Sequence, residues 1–225
     1  MSRPFIYMNM AMTADGKITS AHGEYPHFTS DYDQDRMDEL RAEADAVGVG
    51  AGTLRADNPP LQVRSDAASI KRRALGKTKP LSTVVVSRGL NLDPTSRFFS
   101  DPSGERIVAT TEEAPADRVA ALSERAQVWQ LGRGGVDLGA MVTRLHEHGV
   151  ERLLVEGGAQ LNWAFVTADL FDELYITLAP ALLGGSTAPT IVGGPGLRMA
   201  EQRRLELLDV HREGDELFCH YRVVR

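Results

Sequence analysis

Apolar residues recur along this chain in two rhythms, and the rhythms alternate. Short apolar runs predict buried strands at residues 5–12, 46–49, 82–86, 106–109, 126–131, 153–155 and 174–179, the last stopped by Pro180. Between them, helical spacing predicts a helix opened at residues 29–33 that carries Tyr32, Met37, Leu40 and Ala44 on one face. Ser30 with Asp33 forms a capping-box-like start to it. Further helices follow at 115–126 on Val119 and Leu122, at 138–149 on Leu138, Met141, Val142 and Leu145 with Gly149 as the stop, and at 160–168 on Leu161, Ala164, Phe165 and Ala168. Residues 205–211 and 216–224 alternate with period two around Gly214-Asp215 and predict a hairpin at a sheet edge. Strand–helix alternation followed by a hairpin predicts one α/β domain over residues 1–225. It has three layers, a mainly parallel sheet and an antiparallel C-terminal tail.

The chemistry concentrates where strands end in glycine. The stretch from Arg152 to Trp163 reads strand, Gly157-Gly158, helix, an arrangement that aims backbone N–H groups and a helix N-terminus at an anion. Glu156 sits at the strand end, where it would repel a phosphate, so it is read as facing a second ligand; an ordinary tight turn with a solvated glutamate is the alternative. Gly48-x-Gly50-x-Gly52-Thr53 is a weak match to a dinucleotide fingerprint, because Pro59-Pro60 stops the long helix that such a fingerprint requires. It leaves a glycine turn and a short helical piece with Thr53 and Asp57 on one side, suited to a nucleotide. Ser87-Arg88-Gly89 could cradle a phosphate monoester, as on a ribose 2′ position. Glycine turns after Val49, Val86, Leu131 and Glu156 are expected to converge on one large nucleotide cofactor.

Asn9 is the one strongly polar residue inside the first strand, so it is either hydrogen-bonded within the fold or lines a site. Residues 20–28, with His22, Tyr25 and His27, form a polar loop of the kind that carries substrate contacts. Arg41 flanks the apolar stripe of the first helix, and Arg64 is either a phosphate partner or a surface arginine on a loop edge. Residues 65–80 read as a basic, disorder-prone linker with solvated charges.

A net charge of −6 argues against nucleic-acid or anionic-membrane partners, while a local basic pocket for a phosphorylated small molecule stays open. The single cysteine, Cys219, allows neither an internal disulfide nor a cysteine zinc cluster, and its alternating surroundings predict a packed strand thiol. His146 and His148 suit a helix C-terminus better than a metal. No apolar span of membrane length and no signal-peptide pattern stand out, so a cytoplasmic protein is the default expectation.

At this point several motifs, taken together, resemble the riboflavin-biosynthesis pyrimidine reductases in their archaeal-type stand-alone form. They are residues 12–18, 40–59 with Leu61-Gln-Val-Arg64, Gly132-Arg-Gly134, 155–163, Phe171-Asp-Glu and 179–185. The resemblance implies a dihydrofolate-reductase-like fold, a homodimer and an NADPH-dependent reduction (NADH being possible). In that reaction the ribosylamino chain of 2,5-diamino-6-ribosylaminopyrimidinone 5′-phosphate becomes ribitylamino; reduction of the deaminated pyrimidinedione, or of a dihydrofolate or pterin, is the alternative. By motif, Thr53, Asp57, Ser87, Arg88, Gly157, Gly158, Ala159, Gln160 and Leu161 would hold the cofactor. Arg41, Leu61, Arg64 and Glu156 would face the substrate, with Ser30, Tyr25 and His27 nearby. Bacterial relatives carry lysine where Asn9 stands, so the proton donor is open among Glu156, Asn9 and Lys17, and no metal is needed.

Overall fold

The computed structural model describes residues 2–24, 28–101 and 103–225; Tyr25 and His27 lie outside the described residues. In chain order the elements are β1 (Phe5–Thr13), α1 (Asp31–Glu43), β2 (Ala46–Gly50), α2 (Ala51–Asp57), α3 (Asp66–Ala74), β3 (Ser82–Val86), α4 (Arg97–Ser100), β4 (Arg106–Thr110), α5 (Ala116–Ser123), β5 (Gln127–Gln130), α6 (Leu138–Glu147), β6 (Arg152–Val155), α7 (Ala159–Thr167), β7 (Glu173–Ala179), a 3-10 turn (Met199–Glu201), β8 (Leu205–Glu213) and β9 (Glu216–Val223).

Among the described residues the strands form one sheet in the order β5-β4-β3-β2-β6-β1-β7-β9-β8. All neighbours from β5 to β7 are parallel. The β7–β9 and β8–β9 pairs are antiparallel, so the sheet ends in the expected hairpin. Buried residues alternate faces along each parallel strand, as period two requires. Ile6, Met8, Leu153 and Val155 pack with Met141 and Leu145 of α6 and Phe165 of α7. Tyr7, Leu154, Val49 and Val85 face the other way, against Leu40 of α1, Leu54 of α2, Phe98 and Phe99 of α4 and Leu122 of α5. Two apolar faces on one sheet give the three-layer architecture.

The connection from β1 runs through α1 to β2, on one side of β6, and that from β6 runs through α7 to β7, on the far side of β1. Chain direction across the sheet therefore reverses near β2, β6 and β1. A crevice opens at their C-terminal ends, the usual place for a ligand in such sheets.

Two expectations are corrected. Residues 65–80 are not a solvated linker: they hold α3, whose N-cap Ser65 accepts from the Ala68 N–H at 3.2 Å. Three of the five basic residues there are used internally, while Arg73 and Lys79 are exposed. Arg72 is buried and donates to the carbonyls of Ala42 and Lys79 at 3.3 and 2.8 Å, and Lys71 pairs with Glu43 at 2.8 Å. Lys77 is paired with Asp45. Cations that satisfy the carbonyl end of α1 look the same in composition as cations in water, and only the neighbouring helix distinguishes them. The second correction concerns the start of α1. Ser30 caps it, with Asp33 N–H to Ser30 Oγ at 3.4 Å, but the Asp33 side chain does not return to the cap; it accepts a hydrogen bond from Thr177 Oγ1 at 2.6 Å.

Candidate active site

The two glycines after β6 are locked to β2. Gly50 N–H donates to the Gly157 carbonyl at 2.7 Å, and Glu156 N–H donates to the Gly48 carbonyl at 2.9 Å. Gly157 has φ +75°, and a Cβ there would lie 2.8 Å from Met10 Sδ; the Gly157–Gly158 peptide is cis. A Cβ on Gly158 would approach Thr53 Oγ1 to 3.0 Å. Glycine is favoured at 157 on conformational and steric grounds, and a side chain at 158 would press on the Thr53 hydroxyl. Gly157→Ala is expected to cost about 1–3 kcal/mol in thermal unfolding and to weaken cofactor binding in a fluorescence titration.

Gly158 is the N-cap of α7 and no side chain caps it, which leaves the first-turn N–H groups of Ala159, Gln160 and Leu161 available to an anion. They open on a cleft of about 300 Å³ lined by Gly50, Gly52, Thr53, Asp57, Gly158 and Pro189 among others. From the far side, Gly193 N–H bonds the Ala159 carbonyl at 2.9 Å and Asn162 Nδ2 bonds the Ile191 carbonyl at 2.7 Å, tying the glycine-rich loop to α7. The open helix start, the glycine cradle and the Thr53 hydroxyl fit a phosphate-bearing nucleotide.

A second cleft, about 210 Å³, meets the first at Ile18, Thr53, Asp57 and Gly158. Asn9, Asp33, Arg41, Arg64 and Glu156 line it. Asn9 projects from β1 and makes no side-chain hydrogen bond among the described residues. Arg41, 1% exposed, grips Glu156 with both arms: Nε to Oε1 at 2.7 Å and Nη2 to Oε2 at 2.8 Å. Its Nη1 donates to the Gln62 carbonyl at 3.0 Å and lies 3.5 Å from Asp38. Burial alone would lower the Arg41 pKa, but the Glu156 and Asp38 carboxylates outweigh it and hold the guanidinium above the ordinary arginine value. Arg41 is thus a clamp that orients Glu156 and tethers the segment after Pro60, while the remaining lone pairs of Glu156 stay available to the cleft. Arg64 stands at the rim, its side chain 41% exposed, 3.5 Å from Asp38 and 3.3 Å from Gln34. Burial raises the pKa of Asp57 at the junction of the two clefts.

Other residues singled out in the sequence sit apart from these walls. Lys17 Nζ donates to the Ala188 carbonyl at 3.2 Å and lines neither cleft. Leu61 is buried in the core beneath α1. Ser30 gives its N–H and hydroxyl to Glu216 and also lies outside both linings, where Phe28, Thr29 and Asp33 stand instead. Ser87 is buried and Arg88 exposed at the end of β3, beside β2, and the Arg88 carbonyl accepts from Thr110 and Thr111 at 3.2 and 3.4 Å. The glycine turn after Leu131 follows β5, three strand positions from β2, or roughly 15 Å, and none of its residues lines either cleft. Local spacing reads Asp33 as a helix-capping residue and carries no signal that its side chain turns into the cleft. No three His, Cys, Asp or Glu side chains gather into a metal-holding group among the described residues, and no described helix is long and apolar enough to cross a membrane.

Residues 4–218 match the family model described as the RibD C-terminal domain. The chain is 40% identical over 223 residues to the 2,5-diamino-6-ribosylamino-4(3H)-pyrimidinone 5′-phosphate reductase of Methanothermobacter thermautotrophicus, covering 98% of this chain and 99% of that one. Among solved structures, RibD of Acinetobacter baumannii superposes with TM-score 0.81 at 24% identity, over 99% of this chain and 59% of that one. Dihydrofolate reductase of Enterococcus faecalis superposes with TM-score 0.52 at 12% identity, over 97% and 96% of the two chains. The fold is dihydrofolate-reductase-like, and with a family match over nearly its whole length the chain belongs to the RibD C-terminal domain family.

Proposed function

We propose that this protein is the NADPH-dependent reductase that converts the ribosylamino side chain of 2,5-diamino-6-ribosylamino-4(3H)-pyrimidinone 5′-phosphate to ribitylamino. The observation that carries the reading is the pair of clefts that meet at Thr53, Asp57 and Gly158. One offers an uncapped helix start and a glycine cradle, the other a clamped carboxylate, a strand asparagine and a rim arginine. That combination suits a dinucleotide against a phosphorylated sugar.

In the reaction the glycosylamine opens. The ring oxygen leaves C1′ as a hydroxyl, taking a proton, and C1′ becomes doubly bonded to the exocyclic nitrogen. A nicotinamide cofactor held in the glycine-lined cleft would supply the hydride that C1′ takes up, and a proton on nitrogen completes the ribitylamine. Glu156 accepts hydrogen bonds from the ribose hydroxyls and stabilises positive charge developing at the C1′–nitrogen bond. Asn9 donates to the opened ribose, and Arg64 pairs the 5′-phosphate at the rim. Thr53, Asp57 and the turn from Gly157 to Leu161 hold the cofactor, whose orientation against C1′ supplies much of the acceleration. Lys17, anchored to the Ala188 carbonyl, is the reserve acid. We further assign NADPH over NADH to Ser87 and Arg88, one domain over residues 1–225, a homodimer and a cytoplasmic location.

The test follows the loss of reduced-nicotinamide absorbance with the diamino substrate, its deaminated counterpart and dihydrofolate. Turnover of the diamino compound supports the reading. Turnover of dihydrofolate alone overturns it. Arg88→Ala is expected to raise the KM for NADPH roughly ten- to hundredfold, the worth of hydrogen bonds to a charged group, and to leave that for NADH unchanged. An equal effect on both would remove Arg88 from the 2′-phosphate.

A further inference from the structure

Asp38 lies on α1, one turn before Arg41, and is 3% exposed. It lines neither cleft. Its carboxylate nevertheless reaches both arginines of the substrate cleft. Oδ2 accepts two backbone N–H bonds, from Arg64 at 3.0 Å and from Ser65 at 2.8 Å. Oδ1 lies 3.5 Å from Arg41 Nη1 and 3.5 Å from Arg64 Nε. Two consecutive N–H groups on one oxygen fix the backbone where the chain leaves the cleft rim and enters α3, whose N-cap is Ser65. Charges of opposite sign therefore alternate from Glu156 through Arg41 and Asp38 to Arg64 at the rim. A carboxylate buried this deeply needs such partners. The arginine at the end of the line is only partly engaged. Its Nη2 donates to Gln34 at 3.3 Å and its Nε faces Asp38, while Nη1 has no protein partner among the described residues.

The inference rests on the reductase reading and on its pairing of Arg64 with the 5′-phosphate. We propose that Asp38 is the positioning residue for that phosphate: it aims Arg64 at the cleft mouth, and so makes the enzyme select a phosphorylated ribosylamine over the same compound without its phosphate. A long side chain on an untethered loop has to be ordered when the ligand binds, and that cost falls on the affinity. Here the loop is fixed beforehand through the Arg64 and Ser65 N–H groups. The guanidinium is turned with Nε against Asp38, which leaves Nη1 for the phosphate oxygens. The Asp38 charge also repels a phosphate directly. That repulsion acts at a solvated rim, where one charge counts for little, and Arg41 offsets it from the other side. Orientation therefore outweighs repulsion. The plainer role is that of a loop staple, which would hold the start of α3 and treat both compounds alike.

The experiment measures KM and kcat for the diamino ribosylamine phosphate and for its phosphatase-treated counterpart, in the wild type and in Asp38→Ala. In the variant the KM for the phosphorylated compound is expected to rise about ten- to hundredfold, the worth of hydrogen bonds to a charged group. Its kcat at saturation should be kept, which is the pattern of lost ground-state binding, and the KM for the phosphate-free compound should stay within about twofold. In an Arg64→Met background, Asp38→Ala should change the preference for the phosphorylated compound no further, because nothing is left to position. An equal loss on both compounds, or the full loss repeated in the Arg64→Met background, would make Asp38 a loop staple and overturn the proposal. Melting temperature, followed alongside, reports folding. Should Asp38→Ala fail to fold, Asp38→Asn decides by the same ratio. Its one oxygen can keep the two N–H bonds, but its amide N–H₂ then meets both guanidiniums, donor against donor. The preference should fall, and an unchanged preference overturns the proposal. A wild type that does not distinguish the two compounds overturns the Arg64 assignment and this inference with it, and leaves the reductase reading in place. A wild type that reduces neither overturns the reductase reading itself.

Discussion

Replacing Arg41 by methionine is expected to lower stability by about 3 kcal/mol or more, because it strips the cation from a buried ion pair and leaves Glu156 uncompensated. Methionine keeps much of the volume, so the loss reports charge and hydrogen bonds rather than a cavity. Four contacts disappear together: two to Glu156, one to the Gln62 carbonyl and the approach to Asp38. For a chain of this size the effect corresponds to a fall in Tm of roughly 6–12 °C, read by thermal or chemical denaturation. A change within about 0.5 kcal/mol, the range of ordinary surface substitutions, would mean that Glu156 recovers its hydration through the cleft and that the pair is not a structural clamp. Activity should fall further than stability explains, since the carboxylate loses its fixed orientation and the segment after Pro60 loses its tether.

Glu156→Gln tests the chemistry more directly. The amide removes the negative charge while keeping the shape, and kcat is expected to fall by about 100-fold or more, the scale for one preorganised electrostatic group. NADPH affinity should stay within about twofold, because the cradle is backbone and Thr53 rather than this side chain. The amide N–H₂ would meet a guanidinium N–H, donor against donor, so some stability is lost as well, about 1–3 kcal/mol. Loss of cofactor binding together with turnover would count against the assigned role. In the Arg41→Met/Glu156→Gln double variant the stability costs should add to less than their sum, since both remove one interaction.

Much of the architecture was legible. The parallel strands announced themselves as apolar runs, and the hairpin as period two around Gly214-Asp215. Gly157-Gly158 was readable as the tight turn between strand and helix, because a close backbone approach needs glycine at fixed positions. Asn9 stood out as a polar residue within an apolar strand, and it lines the cleft. The departures share a cause. Lys71 and Arg72 are consumed by α1, a neighbour in space that composition does not show. Leu61 and Ser30 lie beside cleft-lining residues in sequence, but the turn of the chain sends one into the core and the other to Glu216. Asp33 has the spacing of a capping residue and uses it otherwise.

By itself the sequence determined what is local and periodic: the strands and the longer amphipathic helices, which faces are apolar, where glycine permits a tight turn, and that a carboxylate ends the sixth strand. Tertiary structure alone decided the partners. Arg41 and Glu156 are 115 residues apart and meet because β6 inserts between β1 and β2, bringing the end of one strand under the first helix. Asp33 and Thr177 are separated by 144 residues and meet because β7 pairs with β1 on its other side. Spacing along a chain constrains neighbours within a few turns or strand steps. Strand order, which is a property of the whole sheet, chooses which charges are buried together, and with them the chemistry of the site.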